Sequence, residues 1–251
     1  MNSIAPLRPI EYDEMAEQEE RLWWFRGMRT ITHALLDRWY APDGRLRILD
    51  AGCGTGGGMR LLAGYGAVTG MDLALYALRL GARRAAGPRV CANVAALPLP
   101  AGSFDLVTSF DVLTALDAPT ERAALREMAR VLAPGGRFLA RVAAYDWLRG
   151  AHDRACRIQH RYTAGDLRQR LERVGLRVEV LSYVNMWLFP LAAAKRLAER
   201  LRPPTDRTEL TAPFGAADKV LGAILASEAP LAARGWLPFG LSLLAVARKL
   251  P

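Results

Sequence analysis

The residues best placed to do chemistry are Ile48-Leu49-Asp50-Ala51-Gly52-Cys53-Gly54-Thr55-Gly56-Gly57-Gly58. An apolar strand running into a glycine turn and then a helix lets backbone amides, and the positive end of the helix dipole, approach a ligand with no side chain between. That is a loop for holding a nucleotide-like cofactor. Its letters satisfy two spacings. Gly52, Gly54 and Gly57 fit the dinucleotide pattern G-x-G-x-x-G, whereas Gly52, Gly54 and Gly56 fit G-x-G-x-G. Asp72, in Gly70-Met71-Asp72-Leu73, falls about 20 residues further on, where a carboxylate accepts hydrogen bonds from ribose hydroxyls in either case. The glycines alone do not choose between the two.

General bases are scarce. The three histidines are His33, His152 and His160. His152, beside Asp153, and His160, in Gln159-His160-Arg161-Tyr162-Thr163, are the candidates for proton removal, with Tyr145, Asp146 and Asp111 as alternatives. Loop capping is the competing role for His152, and positioning ahead of a Thr163-capped helix is the competing role for His160. His33 reads as packed within the first helix.

These residues need a scaffold, and periodicity divides the chain into three parts. Residues 11–40 read as helical, with Trp23-Trp24-Phe25 in the middle. Residues 45–182 alternate short apolar runs with helical segments, and residues 183–240 are helical and punctuated by prolines. Strands are expected at Arg47–Asp50, Ala67–Met71, Phe104–Ser109, Arg137–Ala143 and Arg177–Ser182, with Leu241–Ala247 returning as a last strand. Strands alternating with helices imply a parallel sheet covered on both faces. The expected organisation is one domain over residues 1–251: a helical cap (1–44), a core (45–182), a helical insertion (183–240) and a final strand (241–251).

The neighbourhood of the glycine loop resembles class I S-adenosylmethionine-dependent methyltransferases, of the bacterial small-molecule type with a ubiquinone/menaquinone-methyltransferase-like core. Asp50 with Gly52 to Gly56 resembles the family's first motif, and Asn93-Val94-Ala95-Ala96-Leu97-Pro98-Leu99-Pro100 its D-A-x-x-L-P-F-P segment. Ser103-Phe104-Asp105-Leu106-Val107 resembles its fourth strand. Arg130-Val131-Leu132-Ala133-Pro134-Gly135-Gly136 resembles its turn into strand five. Weaker likenesses are Trp23-Trp24-Phe25, His152-Asp153, Arg161-Tyr162-Thr163 and Leu237-Pro238-Phe239-Gly240. The chain departs from relatives at Leu22, at Asn93 (usually acidic), at Thr114-Ala115 (often Glu-His) and at Ile158-Gln159, so no histidine base stands at position 115.

The resemblance implies a Rossmann-like, doubly wound α/β fold with a seven-stranded, mostly parallel sheet whose last strand is antiparallel. It implies S-adenosylmethionine as cofactor, S-adenosylhomocysteine as product, and no metal. Gly52, Cys53, Gly54 and Gly56 would hold the methionine end, with Asp50 toward its ammonium. Asp72 and Leu73 would take the ribose, Asn93 and Val94 the adenine, and Ser109 and Phe110 would border the sulfonium. Trp24 and Arg29 or Arg26 would close the site from the amino-terminal helix. The expected acceptor is a small apolar or aromatic molecule. A noncatalytic binding protein of the same fold, an RNA methyltransferase and a dehydrogenase are the competing readings.

Composition sets the remaining bounds. The 251 residues are 51% hydrophobic, which supports a sizeable core. The formal charge is +9, nearly all from arginine, since only Lys195, Lys219 and Lys249 are lysines. That excess is spread along the chain rather than clustered as a nucleic-acid footprint would be. Cys53, Cys91 and Cys156 have neither disulfide nor zinc spacing, and no segment has the roughly 18 apolar residues of a spanning helix, so the expected compartment is cytoplasmic. Residues 183–202, aromatic and then basic, offer three roles: an acceptor wall, a contact between two copies, or peripheral membrane contact. The chain is expected as a monomer or homodimer.

Overall fold

The computed structural model describes residues 7–150, 153, 156–200, 215 and 217–250. The apolar runs form a single seven-stranded sheet. Its strands are β1 (Leu46–Ala51), β2 (Gly66–Asp72), β3 (Arg89–Cys91), β4 (Phe104–Phe110), β5 (Leu132–Ala143), β6 (Leu176–Val184) and β7 (Ser242–Lys249), ordered β3-β2-β1-β4-β5-β7-β6. The first five strands pair in parallel, and β7 runs antiparallel to β5 and β6. From β1 the chain moves outward to β2 and β3 on one side and then crosses back to β4 on the other side of β1. The crevice this opens lies beyond the carboxyl ends of the strands, where open α/β sheets bind ligands. The mostly parallel sheet with one antiparallel strand is the expected one.

The helices among the described residues are α1 (Pro9–Arg21), α2 (Trp23–Leu36), α3 (Gly57–Leu62), α4 (Leu75–Gly81), α5 (Ala118–Val131), α6 (Ala164–Glu172), α7 (Phe189–Arg200), α8 (Ala217–Ala226) and α9 (Ala229–Arg234). One cluster of buried side chains runs from Met28 to Ala247, so the amino-terminal helix, the sheet and the insertion share packing. None of these helices is long and apolar enough to cross a membrane.

Three local features differ from the sequence expectation. The helix expected over 11–40 is two helices, separated at Leu22, whose backbone is extended (φ −70°, ψ 137°) and whose side chain is buried. Trp23, Trp24 and Phe25 therefore open α2 instead of lying mid-helix, and Arg29 Nη1 donates to the Glu19 carbonyl (2.9 Å), tying α2 back onto α1. Strand β5 begins at Leu132, not Arg137, because Ala133-Pro134-Gly135-Gly136 is an irregularity within the strand: Phe104 pairs with Leu132 but Leu106 with Arg137. Strand β3, only three residues long, was not among the expected strands.

The insertion is anchored, not detached. Leu225 of α8 is fully buried where α2 passes closely at Gly27, and Gly222 lies against the Trp23 backbone. Glu228 is fully buried and accepts from the amides of Asn185, Met186 and Trp187 (2.6, 2.7 and 2.9 Å), which fixes the approach to α7. Burial raises its carboxyl pKa, and the three amides pull it back. The proline-containing stretch 202–213 of the insertion lies outside the described residues.

Thr163 caps α6 as expected, its hydroxyl accepting from the Asp166 amide (3.3 Å). Thr163→Ala should cost about 1 kcal/mol, the usual value of such a cap, read as a lower urea midpoint at unchanged slope. An unchanged midpoint would remove the cap's contribution.

Candidate functional site

The carboxyl ends of β1, β2, β4 and β5 open into a cleft of about 1960 Å³. Single-ligand sites measure roughly 300–1,000 Å³, so the cleft has room for two molecules side by side. Its floor is the loop between β1 and α3. The amides of Gly52 and Cys53 both donate to the Met71 carbonyl (2.7 and 2.9 Å), folding the loop back onto the end of β2. Left-handed backbone at Gly52, Gly54 and Gly56 (φ 87°, 49° and 88°) makes that turn, which other residues adopt only with strain. A Cβ on Gly52 would overlap Cγ2 of Val112, whereas Gly54 is open to the cleft.

Two carboxylates flank this loop. Asp72 accepts from the Gly54 amide through Oδ2 (2.9 Å) and from the Ala74 amide through Oδ1 (2.8 Å). Each oxygen has a second acceptor position for a ligand hydroxyl. Burial raises its pKa, against the pull of those amides. Asp50 is 1% exposed; Thr108 Oγ1 donates to its Oδ1 (2.8 Å), and Oδ2 has no hydrogen-bond partner among the described residues. Burial, with repulsion from Asp72 and Glu19 and despite the Thr108 bond, pushes the Asp50 carboxyl up to about 7. A buried oxygen without a donor is costly, and a cationic donor arriving in the cleft would satisfy it.

Helix α1 covers the loop. Arg84 binds Glu19 Oε2 (2.7 Å), the Thr55 carbonyl (3.1 Å) and the Ala16 carbonyl (2.8 Å), joining the helix to both the loop and α4. Trp24 and Arg29 line the cleft from α2, Leu73 from the end of β2, and Asn93 and Val94 from the segment after β3. Asn93 is exposed and uses Oδ1 to accept from the Ala95 amide (2.9 Å), leaving its NH₂ outside that turn.

The remaining sequence candidates separate. Phe110 and Asp111 line the cleft, but Ser109 does not: strand alternation turns it into the sheet, fully buried with Oγ unpartnered. Gly56 serves as the amino-terminal cap of α3 and is not in the cleft wall. Tyr145 also points elsewhere, stacked on Tyr183 (5.0 Å between centroids, 11°) in a cluster with Trp147 and Phe189. His160 packs on Tyr162 (4.4 Å) with Nε2 3.6 Å from Glu121 Oε2, and opens onto a smaller cavity of about 370 Å³ beside Asp117, Asp166 and Arg170. Burial lowers its pKa. His152 lies outside the described residues. Its neighbour Asp153 is nearly buried and ion-paired with Arg161 (2.6 Å). His33 bonds Tyr65 Oη (3.0 Å) away from the site. At the departures from the family pattern, the Gln159 amide donates to the Thr114 carbonyl (2.7 Å), and both residues line the cleft.

The aromatic reading of 183–202 is corrected in detail. Leu188, Leu191 and Ala192 face the cleft, while Phe189 joins Trp147 and Phe239 on the outside (5.9 and 5.3 Å). Trp23, Trp24 and Phe25 supply aromatic wall instead.

One cleft residue escaped the sequence reading. Arg141, near the end of β5, binds Asp111 Oδ2 through Nε (2.8 Å) and Nη2 (2.7 Å), and its guanidinium lies over the rings of Trp24 (4.6 Å) and Phe110 (5.0 Å). The available signal was an arginine inside the otherwise apolar run Phe138-Leu139-Ala140-Arg141-Val142-Ala143.

Residues 49–140, which span the glycine loop through β5, match the family model of the methyltransferase domain. The core of this chain is similar to methyltransferase domains. It is 37% identical over 122 residues to a demethylmenaquinone methyltransferase of Corynebacterium urealyticum, a match covering 48% of this chain and 47% of the relative. It is 32% identical over 166 residues to a protein of Mycolicibacterium smegmatis named "Probable S-adenosylmethionine-dependent methyltransferase", covering 64% and 62%. The chain thus spans about half to three-fifths of these relatives' lengths. The methyltransferase-domain fold extends further: the protein bound to the Trm112 methyltransferase activator in a Haloferax volcanii complex superposes over 96% of each chain (TM-score 0.62, 22% identity).

Proposed function

We propose that this protein transfers a methyl group from S-adenosylmethionine to a small, apolar or aromatic acceptor. The observation carrying this reading is the buried, unpartnered Oδ2 of Asp50 in the wall of a cleft that also presents the glycine loop and Asp72. Asp50 would receive the cofactor's ammonium, Gly52, Cys53 and Gly54 its methionine end, Asp72 and Leu73 its ribose, and Asn93 and Val94 its adenine. Trp24 and Arg29 would close the site. The bound cofactor supplies an electrophilic methyl, so the chain's own work is to align the acceptor and exclude water. Phe110, Trp23 and Phe25 provide apolar wall for that purpose, and Asp111 is a carboxylate in reach of the cleft for acceptors that must lose a proton. The relative named for demethylmenaquinone supports an apolar acceptor. The test is release of S-adenosylhomocysteine from S-adenosylmethionine with a panel of phenols, quinols, enolisable ketones and amines. Acceptor-dependent release supports the reading; none, from protein that binds the cofactor, favours a noncatalytic role.

The raised pKa of Asp50 makes a pH prediction. Below pH 7 the ligand-free protein keeps Asp50 protonated, so the form able to bind a cation grows as pH rises through about 7. Affinity for S-adenosylhomocysteine should be about tenfold weaker at pH 6 than at pH 8, following the fraction ionised. Folded Asp50 holds its proton to higher pH than unfolded Asp50. Its contribution therefore lowers ligand-free stability as pH rises from about 4 to about 7. Asp50→Asn should flatten the affinity profile; a profile still pH-dependent in that variant would assign the titration to another group.

A further inference from the structure

The cleft wall carries charges of both signs. The acids Glu11, Glu14, Glu19, Asp50 and Asp72 and the cations Arg8 and Arg29 line it from the first part of the chain. Asp111 and Asp117 follow, and from Arg141 onward six cations line it together with the carboxylate of Asp153. Leu148, Leu188, Leu191 and Leu241 add apolar wall to the same cleft.

Arg141 is the cation of this wall whose donors are best fixed in place. Its side chain is 11% exposed, held between Trp24 and Phe110, and its two bonds to Asp111 use only Nε and Nη2. Among the described residues Nη1 has no hydrogen-bond acceptor. A guanidinium fixed by stacking on two rings keeps its remaining donors pre-organised, and planar oxyanions are what such a fork matches. We infer that the acceptor is an anionic amphiphile, with an apolar body against the leucine wall and an oxyanion head received by Arg141. This rests on the methyltransferase reading and names the acceptor class for the same cleft. Arg141 acts here as an acceptor-positioning residue. A carboxylate and a phosphate ester share the required chemistry.

The test is calorimetric titration of the protein, saturated with S-adenosylhomocysteine, by four probes of equal chain length: decanoate, decyl phosphate, decanol and decylamine. At least one anionic probe should bind at least tenfold more tightly than decanol and decylamine, and the stronger of decanoate and decyl phosphate tells the carboxylate head from the phosphate. In Arg141→Gln that preference should disappear while decanol binding stays. The paired variant Asp111→Asn with Arg141→Gln removes both charges of the pair together, so no partnerless charge is left in the cleft, and should lose the preference as well. Equal affinity for charged and neutral probes, or a preference retained without Arg141, overturns the inference. The two readings fail separately: absence of S-adenosylhomocysteine binding sinks the methyltransferase reading, whereas retained binding with no anion preference sinks only this one.

Discussion

Gly52→Ala should weaken binding of S-adenosylhomocysteine by about a hundredfold, with a parallel loss of stability. Gly52 has φ 87°, and its amide donates to Met71 at 2.7 Å, so the loop cannot relax its backbone without giving up its tie to β2. An L-residue held there costs about 1–2 kcal/mol. Its Cβ would in addition overlap Val112 Cγ2, a branched side chain with little rotameric freedom. Overpacking of that kind costs about 1–3 kcal/mol more. Together these come to about 2–5 kcal/mol, a range that brackets the 2.8 kcal/mol or so that a hundredfold represents. Titration of the folded variant is the check, and wild-type affinity would mean that the loop does not touch the ligand.

Asp72→Ala should weaken the same ligand by about ten- to a hundredfold. The carboxylate does two things at once: it holds the amides of Gly54 and Ala74, and it offers its remaining lone pairs to the cleft. Removing it leaves two amides to find other partners and deletes the acceptors for the ribose, at about 1–3 kcal/mol. Asp72→Asn separates the roles, because the amide keeps one acceptor oxygen and loses the charge. It should fall between the two. Unchanged affinity in folded Asp72→Ala would remove the ribose assignment.

The sheet was legible where chemistry and pattern coincide. Ile48 to Gly58 announces strand, turn and helix in one run, and Asp72 sits at the end of the next strand as the spacing requires. Three-residue β3 was not legible, because Arg89-Val90-Cys91 is too short to show alternation and is defined by pairing with β2. The break at Leu22 carries no proline or glycine; it exists because Leu22 is drawn into the core between two helices. Ser109 and Phe110 show the limit of motif reading: both lie at the end of β4, but a strand can aim only one of two successive side chains at the crevice. His160 was attractive for its scarcity, yet Glu121 and Tyr162 hold it on the other side of the loop after β5. Arg141 was hidden for the opposite reason, since its role depends on Asp111, Trp24 and Phe110 from three distant stretches of chain.

The most direct measurement is calorimetric titration of the purified protein with S-adenosylmethionine and S-adenosylhomocysteine at pH 8, with NAD as control. Micromolar binding of the first two, no binding of NAD, and loss of the heat in Gly52→Ala are the expected results. Binding of NAD by folded protein that ignores both sulfur ligands would contradict the account at its root.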